Sequence, residues 1–531
     1  MANQPDTTTV TDHGGELALA ALRPFGVDTL YTLSGGHVFP LYDAAVKRDP
    51  PTRIVDVRHE QTATFAAEGH ARLMRRPGLA VLTAGPGITN GVSAITQARF
   101  NGSPLLVLGG RAPLARWGAG SLQELDHIPI VSSITKLART VTALTPHRGP
   151  VVVDLPLDVL FAHGTGEVPP AVLPTATGPD PDGVARAAAA IAGARQPLLV
   201  AGSDVWWAGA EGELVAAVEH LRVPTFVNGQ GRGCLPADHE LAASRTRALL
   251  KSEADLVVVV GTPLDFRLSF GSFADARVVH VVDSAEGRAA HVDALTVVGD
   301  IRTALAGLAA HQGPRVDHEP WIARVRDLEA SAAAGDEERL AAEATPIVPT
   351  RVYGELRRRL DRDGVVVCDG GDFVSYAGKY VDVYQPGCWL DSGPYGCLGT
   401  GLGYAMAARV AHPDRQVVAL LGDGAAGFSL MDVDTLVRHE LPVVMVVGNN
   451  GIWGLEKHPM HALYGYDVAA DLQSGCRYDR IVTALGGAGE TVTDPDEIGP
   501  ALDRAFASGV PYLVNVLTDP GDAYPRTSNL G

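Results

Sequence analysis

The chain has 531 residues, of which 46% are hydrophobic and 20% charged, and a formal net charge of −18. That length exceeds a single hydrophobic core and implies several domains, and the apolar content excludes a disordered chain. The acidity, without a stripe of clustered Lys and Arg, excludes a nucleic-acid binder, because phosphate affinity comes from such clusters.

Met1 to Gly15 is polar and lacks both the basic and the apolar region of a secretory leader. No apolar run reaches the roughly 18 residues of a membrane span, so no membrane partner is expected. The five cysteines, Cys234, Cys368, Cys388, Cys397 and Cys476, form no CxxC pair and read as reduced, mostly buried thiols of a cytoplasmic protein. Along the chain a short apolar run, a glycine-rich turn and an amphipathic stretch recur. Leu79–Thr83 precedes Gly85-Pro86-Gly87, and Val417–Leu421 precedes Gly422-Asp423-Gly424. Such runs predict strands buried on both faces, alternating with helices in an α/β chain of parallel sheets. Gly164 to Gly183 is rich in Pro, Gly and Thr and predicts a linker that breaks both helix and sheet. Gln312 to Pro349 predicts a second linker, with a helical segment over Trp321 to Glu343. Three domains follow: 12–163, 184–311 and 348–531.

The strongest chemical signal lies in the third piece. Gly422-Asp423-Gly424 ends one apolar strand, and Asn449-Asn450 follows the next, Pro442–Val447, with a helical pattern over Phe428–His439 between them. Asp423 and Asn450 are thereby expected at the ends of adjacent strands, where α/β sheets bind ligands. Mg²⁺ takes hard oxygen ligands, one or two from the protein and the rest from phosphate. Asp423 supplies an anionic oxygen, Asn450 an amide oxygen, and a backbone carbonyl just beyond it, at Ile452, a third. Gly424 and Ala425 open a helix, so their N–H groups face a diphosphate. The helix has no lysine of the P-loop kind, which argues against a Walker-type nucleotide site.

This segment resembles the thiamine-diphosphate fingerprint of the acetolactate synthase superfamily, which also includes oxalyl-CoA decarboxylase, 2-hydroxyacyl-CoA lyase and benzoylformate decarboxylase. The resemblance runs from about Leu17 to Val516. It implies three doubly wound domains: pyrimidine-binding, central, and diphosphate- and Mg²⁺-binding. Arg58-His59-Glu60-Gln61 matches the motif whose glutamate, here Glu60, hydrogen-bonds the aminopyrimidine and turns the cofactor on. In Gly396-Cys397-Leu398-Gly399, Leu398 matches the apolar wedge that bends the cofactor, and the Gly396 carbonyl would accept from its amino group. Ala84–Gly91 resembles the loop lining the pyrimidine, with Pro86 and Asn90 in contact. Ser121-Leu122-Gln123-Glu124 resembles the loop whose glutamine, Gln123, points at the reacting carbon. Gly35-Gly36-His37 matches the loop over the thiazolium, with His37 a proton shuttle or a structural histidine. Asp369-Gly370-Gly371-Asp372 matches a diphosphate-contacting turn at Gly371, from which Asp372 should turn away or reach the metal through water. In such proteins Glu60 and Asp423 serve one site from two chains, which implies a homodimer or homotetramer with sites at the subunit interface.

The same resemblance leaves the reaction open. The overall pattern is closest to acetolactate synthase-like carboligases, which act on a 2-oxo acid. Three features depart from those synthases. Leu157 stands where they carry Lys, and Pro459 where they carry a substrate-selecting Trp, with Trp453 at a different offset. The flavin-contacting features of the central domain are not recognisable, so FAD, ADP or neither belongs there. Asn449–Trp453, Gly401–Ala405 and Gly231–Pro236 resemble the acyl-CoA enzymes. A CoA ligand needs a basic patch, for which Arg111, Arg116, Arg267 and Arg477 are candidates. A catalytically silent scaffold paralogue is the reading of another class. Retention of Glu60, Asp423 and Asn450 argues against it, since a buried carboxylate is costly to keep without use.

Overall fold

The computed structural model describes residues 8–136, 148–168, 170, 174–285 and 292–524. Pro169 and Leu173 of the first linker, and everything after Tyr524, lie outside the described residues.

Three parallel sheets carry the chain. The first has five strands in the spatial order Arg53–Asp56, Thr29–Thr32, Gly78–Leu82, Leu105–Arg111 and Val151–Pro156. The second has six: Ala242–Ala243, Thr225–Val227, Pro197–Ala201, Leu256–Val260, Arg277–Val282 and Leu295–Val298. The third also has six: Trp389–Asp391, Val365–Asp369, Val417–Gly422, Val444–Asn449, Tyr512–Leu517 and Ala488–Val492. Every pairing within these sheets is parallel. Runs such as Leu256–Val260 are buried residue by residue, which is why they show no polar alternation. In the second sheet the strand order reverses between Pro197–Ala201 and Leu256–Val260, which opens a crevice at Gly202 and Gly261.

The first linker does not behave wholly as expected. His163–Val168 is a strand, paired antiparallel with Thr8–His13 from the polar N-terminal stretch. Glycine and threonine tolerate this exposed two-stranded ribbon; the prolines that stop it come only after Val168. The helix predicted over Trp321 to Glu343 runs from Glu319 to Leu340, with Trp321 donating its indole N–H to the Pro197 carbonyl at 3.0 Å. Among the described residues, no helix is long and apolar enough to cross a membrane.

The first and third domains share one core. Helix Glu60–Met74 lies along helix Thr400–Ala411, and the two approach closely because each has a glycine at the contact. A Cβ on Gly69 would meet the Tyr404 ring at 2.8 Å, and one on Gly403 would meet Phe65 at 2.9 Å. Within this seam the buried Glu68 carboxylate accepts from Tyr404 (2.8 Å), Asn101 (2.8 Å) and Ser103 (3.1 Å), so no buried oxygen there is left bare. The central domain is tied on through Trp206, whose indole donates to the Arg72 carbonyl at 2.7 Å.

Candidate active site

Asp423 begins a short helix, Asp423–Ser429, directly after strand Val417–Gly422. Its carboxylate is buried. Oδ2 accepts from the Gly451 N–H at 2.7 Å and Oδ1 from the Gly424 N–H at 2.9 Å. Burial pushes this carboxyl up to about 6, against the pull of those N–H groups, and among the described residues no Lys or Arg pairs with it. The Gly424 N–H, expected to face a diphosphate, is therefore turned onto Asp423 itself. The expected helix over Phe428–His439 is divided: it breaks at Leu430–Asp432 and resumes at Val433–Arg438.

Asn450 directly follows the neighbouring strand, Val444–Asn449, and its Oδ1 accepts from the Ile452 N–H at 3.2 Å, folding 450–452 into a tight turn. Gly451 takes φ +70, a conformation that disfavours side-chained residues. Two outside bonds hold the turn, Leu472 N–H to Gly451 O and Trp453 N–H to Ala470 O, both 2.8 Å. The Trp453 ring then lies against Gly424, where a Cβ would come within 2.4 Å of it. One aromatic side chain thus braces the Asp423 turn against the Asn450 turn.

Gly371 sits at the end of strand Val365–Asp369, opposite Leu455. Asp372 is buried and turned away, its Oδ1 accepting from the Tyr524 N–H at 3.0 Å. The carboxylate facing inward here is Asp369, which the sequence did not single out as a holding group. It is fully buried and accepts from Gly401 N–H (2.8 Å) and Gly399 N–H (3.2 Å). Burial pushes its carboxyl up to about 6, with those two N–H groups pulling it down. It thereby fixes the loop Gly396-Cys397-Leu398-Gly399 at the start of helix Thr400–Ala411. Gly396, at φ +73, has open space on its Cβ side. The Cys397 thiol is pushed up to about 12 by burial, which argues against a nucleophile.

On the first domain, Glu60 is buried at the first turn of its helix, which His59 caps by accepting from Gln61 N–H at 3.1 Å. Asn90, exposed beside Pro86, donates its amide to Glu60 Oε2 at 3.0 Å. Gln123 adopts φ +58 and packs over Gly85, while Glu124 ties down the Gly118 and Ser121 N–H groups. His37 is buried, with Nδ1 3.1 Å from the Thr83 hydroxyl; burial holds its pKa below the usual value, partly offset by the Leu122 carbonyl. A further residue that no local motif announces is His127. Its Nε2 accepts from the Gly85 N–H at 2.9 Å and its Nδ1 faces Asp154 at 3.1 Å, which fixes the tautomer and anchors the loop carrying Pro86.

The chain therefore assembles two groups. Glu60, Asn90, Pro86, His37 and Gln123 gather at strand ends of the first sheet; Asp423, Asn450, Ile452, Gly371 and Leu398 gather at those of the third. The groups touch through Gln61, whose side-chain amide donates to the Leu398 carbonyl at 3.3 Å. Among the described residues no hydrogen bond or ion pair links Glu60 to Asp423. Three of the four arginines considered for a CoA patch are paired with carboxylates. Arg111 pairs with Asp154 and Asp126, Arg267 with Asp265, and Arg477 with Asp479.

Comparison with known proteins finds matches in three parts of the chain. The N-terminal TPP binding domain of thiamine pyrophosphate enzymes matches residues 12–130, their central domain 184–308 and their C-terminal TPP binding domain 369–516. A probable acetolactate synthase of Mycobacterium bovis is 50% identical, covering 98% of each chain. The acetolactate synthase large subunit IlvG of Mycobacterium tuberculosis matches equally, at 50% and 98%. The 2-hydroxyacyl-CoA lyase 2 of Homo sapiens is 32% identical over 95% of this chain and 90% of its own. The chain belongs to the thiamine pyrophosphate enzymes.

Proposed function

We propose that this thiamine-diphosphate-dependent enzyme decarboxylates a 2-oxo acid and joins the remaining fragment to a second carbonyl compound, as an acetolactate synthase-like carboligase. The 50% identity to acetolactate synthases across 98% of the chain carries this reading. When bound, the cofactor supplies a nucleophilic carbon and a sink for the electrons of the broken bond. Glu60 would hold a proton at the pyrimidine nitrogen, with Asn90, which donates to its Oε2, keeping that carboxylate aimed. Leu398 would be the apolar wedge under the rings, on the loop that Asp369 holds through the Gly399 N–H. His37 and Gln123 would face the substrate.

The donor set suits Mg²⁺: the Asp423 carboxylate, the Asn450 amide oxygen and the Ile452 carbonyl are hard oxygens. A buried carboxyl without a cationic partner, already pushed up to about 6, is stabilised in its charged form by such an ion. A site shared between subunits, Glu60 from one and Asp423 from another, accounts for large apolar side chains left exposed on the site-bearing segments. Leu122 is 78% exposed, Phe428 57% and Leu463 62%. FAD or ADP would belong in the crevice at Gly202 and Gly261, and bound flavin is read from the visible spectrum of the purified protein.

A second reading, cleavage of a 2-hydroxyacyl-CoA, draws on Leu157 and on Pro459. Pro459 lies inside helix Gly454–Tyr464, where synthases place an aromatic selector. The deciding assay is acetolactate formation from pyruvate with thiamine diphosphate and Mg²⁺, compared with Glu60→Gln protein. Product lost in the variant supports the carboligase. No product from a cofactor-loaded wild type overturns it in favour of acyl-CoA cleavage.

A further inference from the structure

We infer that Asp432 is a positioning residue for Glu60: through it the third domain holds the connection on which the Glu60 helix begins. This role rests on the reading of Glu60 as the group that activates the cofactor, and it adds a residue of the other domain to that task.

The connection lacks support of its own. Strand Arg53–Asp56 gives up its pairing at Val57, whose N–H reaches the Thr32 carbonyl at 2.8 Å. Helix Glu60–Met74 starts three residues later, and the N–H groups that lead into a helix have no partner within it. Asp432 meets that need: its Oδ1 accepts from the Arg58 N–H at 2.8 Å. It accepts from the Thr435 hydroxyl as well, at 3.1 Å, and the Thr62 side chain, one turn into the Glu60 helix, bonds the same carboxylate. Asp432 is 2% exposed, and among the described residues no Lys or Arg pairs with it. A buried carboxylate without a cation is costly, and three donors converging on it mark a specific fastening.

The break in the expected helix Phe428–His439 now has a reason. The turn Leu430–Asp432 presents Asp432 to the first domain, and helix Val433–Arg438 resumes with the next residues of the same face turned the same way. The Thr435 hydroxyl donates to the Asp56 carbonyl at 3.3 Å. Arg438 donates to the two Asp56 carboxylate oxygens at 2.9 and 2.8 Å, and His439 Nε2 lies 2.9 Å from the first of them. The stretch from Asp56 to Thr62 is thus fastened before, beside and after the point where Glu60 is aimed.

Glu60 depends on such a hold. Its buried carboxylate takes one hydrogen bond among the described residues, from Asn90 at 3.0 Å. A side chain in the first turn of a helix otherwise points where the entering chain directs it. Misplacing a reacting group by about 1 Å can cost on the order of a hundredfold in rate.

The test compares Asp432→Ala with Asp432→Asn, whose Oδ1 can still accept from Arg58, in the full-length protein. One readout needs no cofactor: amide hydrogen exchange over residues 57–62. The other is the rate at which bound thiamine diphosphate, with Mg²⁺ saturating, exchanges its C2 proton for deuterium, the proton lost when that carbon becomes a nucleophile. Asp432→Ala should lose amide protection over 57–62 and slow C2 exchange about ten- to a hundredfold. Asp432→Asn should keep both. Tyr404→Phe loosens the same domain seam about two turns further along the Glu60 helix and should leave both readouts at their wild-type values. If Asp432→Ala does not fold, Arg438→Gln, at a side chain 38% exposed, replaces it, with the same direction and a smaller effect. C2 exchange that these variants leave unchanged, or that Tyr404→Phe slows equally, overturns the positioning role. Glu60→Gln tells the two failures apart. Normal C2 exchange in Glu60→Gln removes the activating role of Glu60 and the positioning role with it. Slow exchange in Glu60→Gln beside normal exchange in Asp432→Ala removes the positioning role alone.

Discussion

Replacing Gly424 by alanine tests the brace between the two turns of the third domain. The new methyl would lie 2.4, 2.5 and 2.8 Å from three atoms of the Trp453 ring, distances that real Cβ atoms do not adopt. Either the ring moves or the Asp423 helix does. Overpacking of this kind costs about 1–3 kcal/mol, while alanine in a helix returns roughly 0.5–1 kcal/mol relative to glycine. A net loss of about 1–2 kcal/mol follows. Because Trp453 leads directly out of the Asn450–Ile452 turn, its displacement also moves two of the three oxygens proposed for Mg²⁺. We expect cofactor affinity to fall about tenfold. Gly427, three residues further along the same helix, has nothing within 4 Å of an added methyl and supplies the control. Gly427→Ala should be neutral or stabilising by roughly 0.5–1 kcal/mol. Urea unfolding followed by circular dichroism measures stability, and titration with thiamine diphosphate and Mg²⁺ measures affinity. If Gly424→Ala behaves like Gly427→Ala in both, Trp453 does not brace the site and the reasoning fails.

Other expectations follow from the same contacts. Asp369 has a folded pKa of about 6 against an ordinary 3.8, so the folded state keeps a proton that the unfolded chain has released between those values. Its contribution to stability is therefore full below pH 3.8 and lost as pH rises through 6, by at most ~3 kcal/mol. The stability of wild type relative to Asp369→Asn, measured by urea unfolding across that window, should fall by up to this amount as pH rises; a constant difference refutes it. Tyr404→Phe strips the hydroxyl that donates to Glu68 and accepts from Gln97, leaving two buried groups short of a partner. It should cost about 2–4 kcal/mol in the same assay. His127→Leu orphans the buried Gly85 N–H at a cost of about 1–3 kcal/mol. It should also weaken thiamine diphosphate binding through the Pro86 loop, and unchanged affinity would show that the loop holds itself.

Much of the candidate site was legible because its elements are local. A glycine-flanked carboxylate at the end of an apolar run marks the strand-end turn at Asp423, the Asn449-Asn450 pair marks the next strand end, and Glu60 is legible through the Arg58-His59-Glu60-Gln61 motif that carries the family resemblance. The alternation of apolar runs and amphipathic stretches similarly indicated parallel-sheet units. Edges were harder to read. His163–Val168 has linker composition, yet it pairs with Thr8–His13, because an exposed ribbon needs only backbone partners and leaves little hydrophobic signature.

The sequence by itself thus determined the sheet architecture and the candidates for metal ligation, which rest on residues within a few positions of a strand end, while the cofactor class and the candidate for its activation follow from the family resemblance that those short motifs carry. Tertiary structure alone decided how those residues are held. Asp369 reaches 30 residues along the chain to Gly399, His127 reaches back 42 to Gly85, and the Trp453 ring settles on Gly424. It also decided where the cations gather. Arg111, Arg267 and Arg477 are neutralised by carboxylates packed beside them. Arg232, Arg247 and Lys379, scattered over two domains, share one cavity. The physical reason is that burial and charge balance are sums over neighbours in space, and sequence order does not state which neighbours those are.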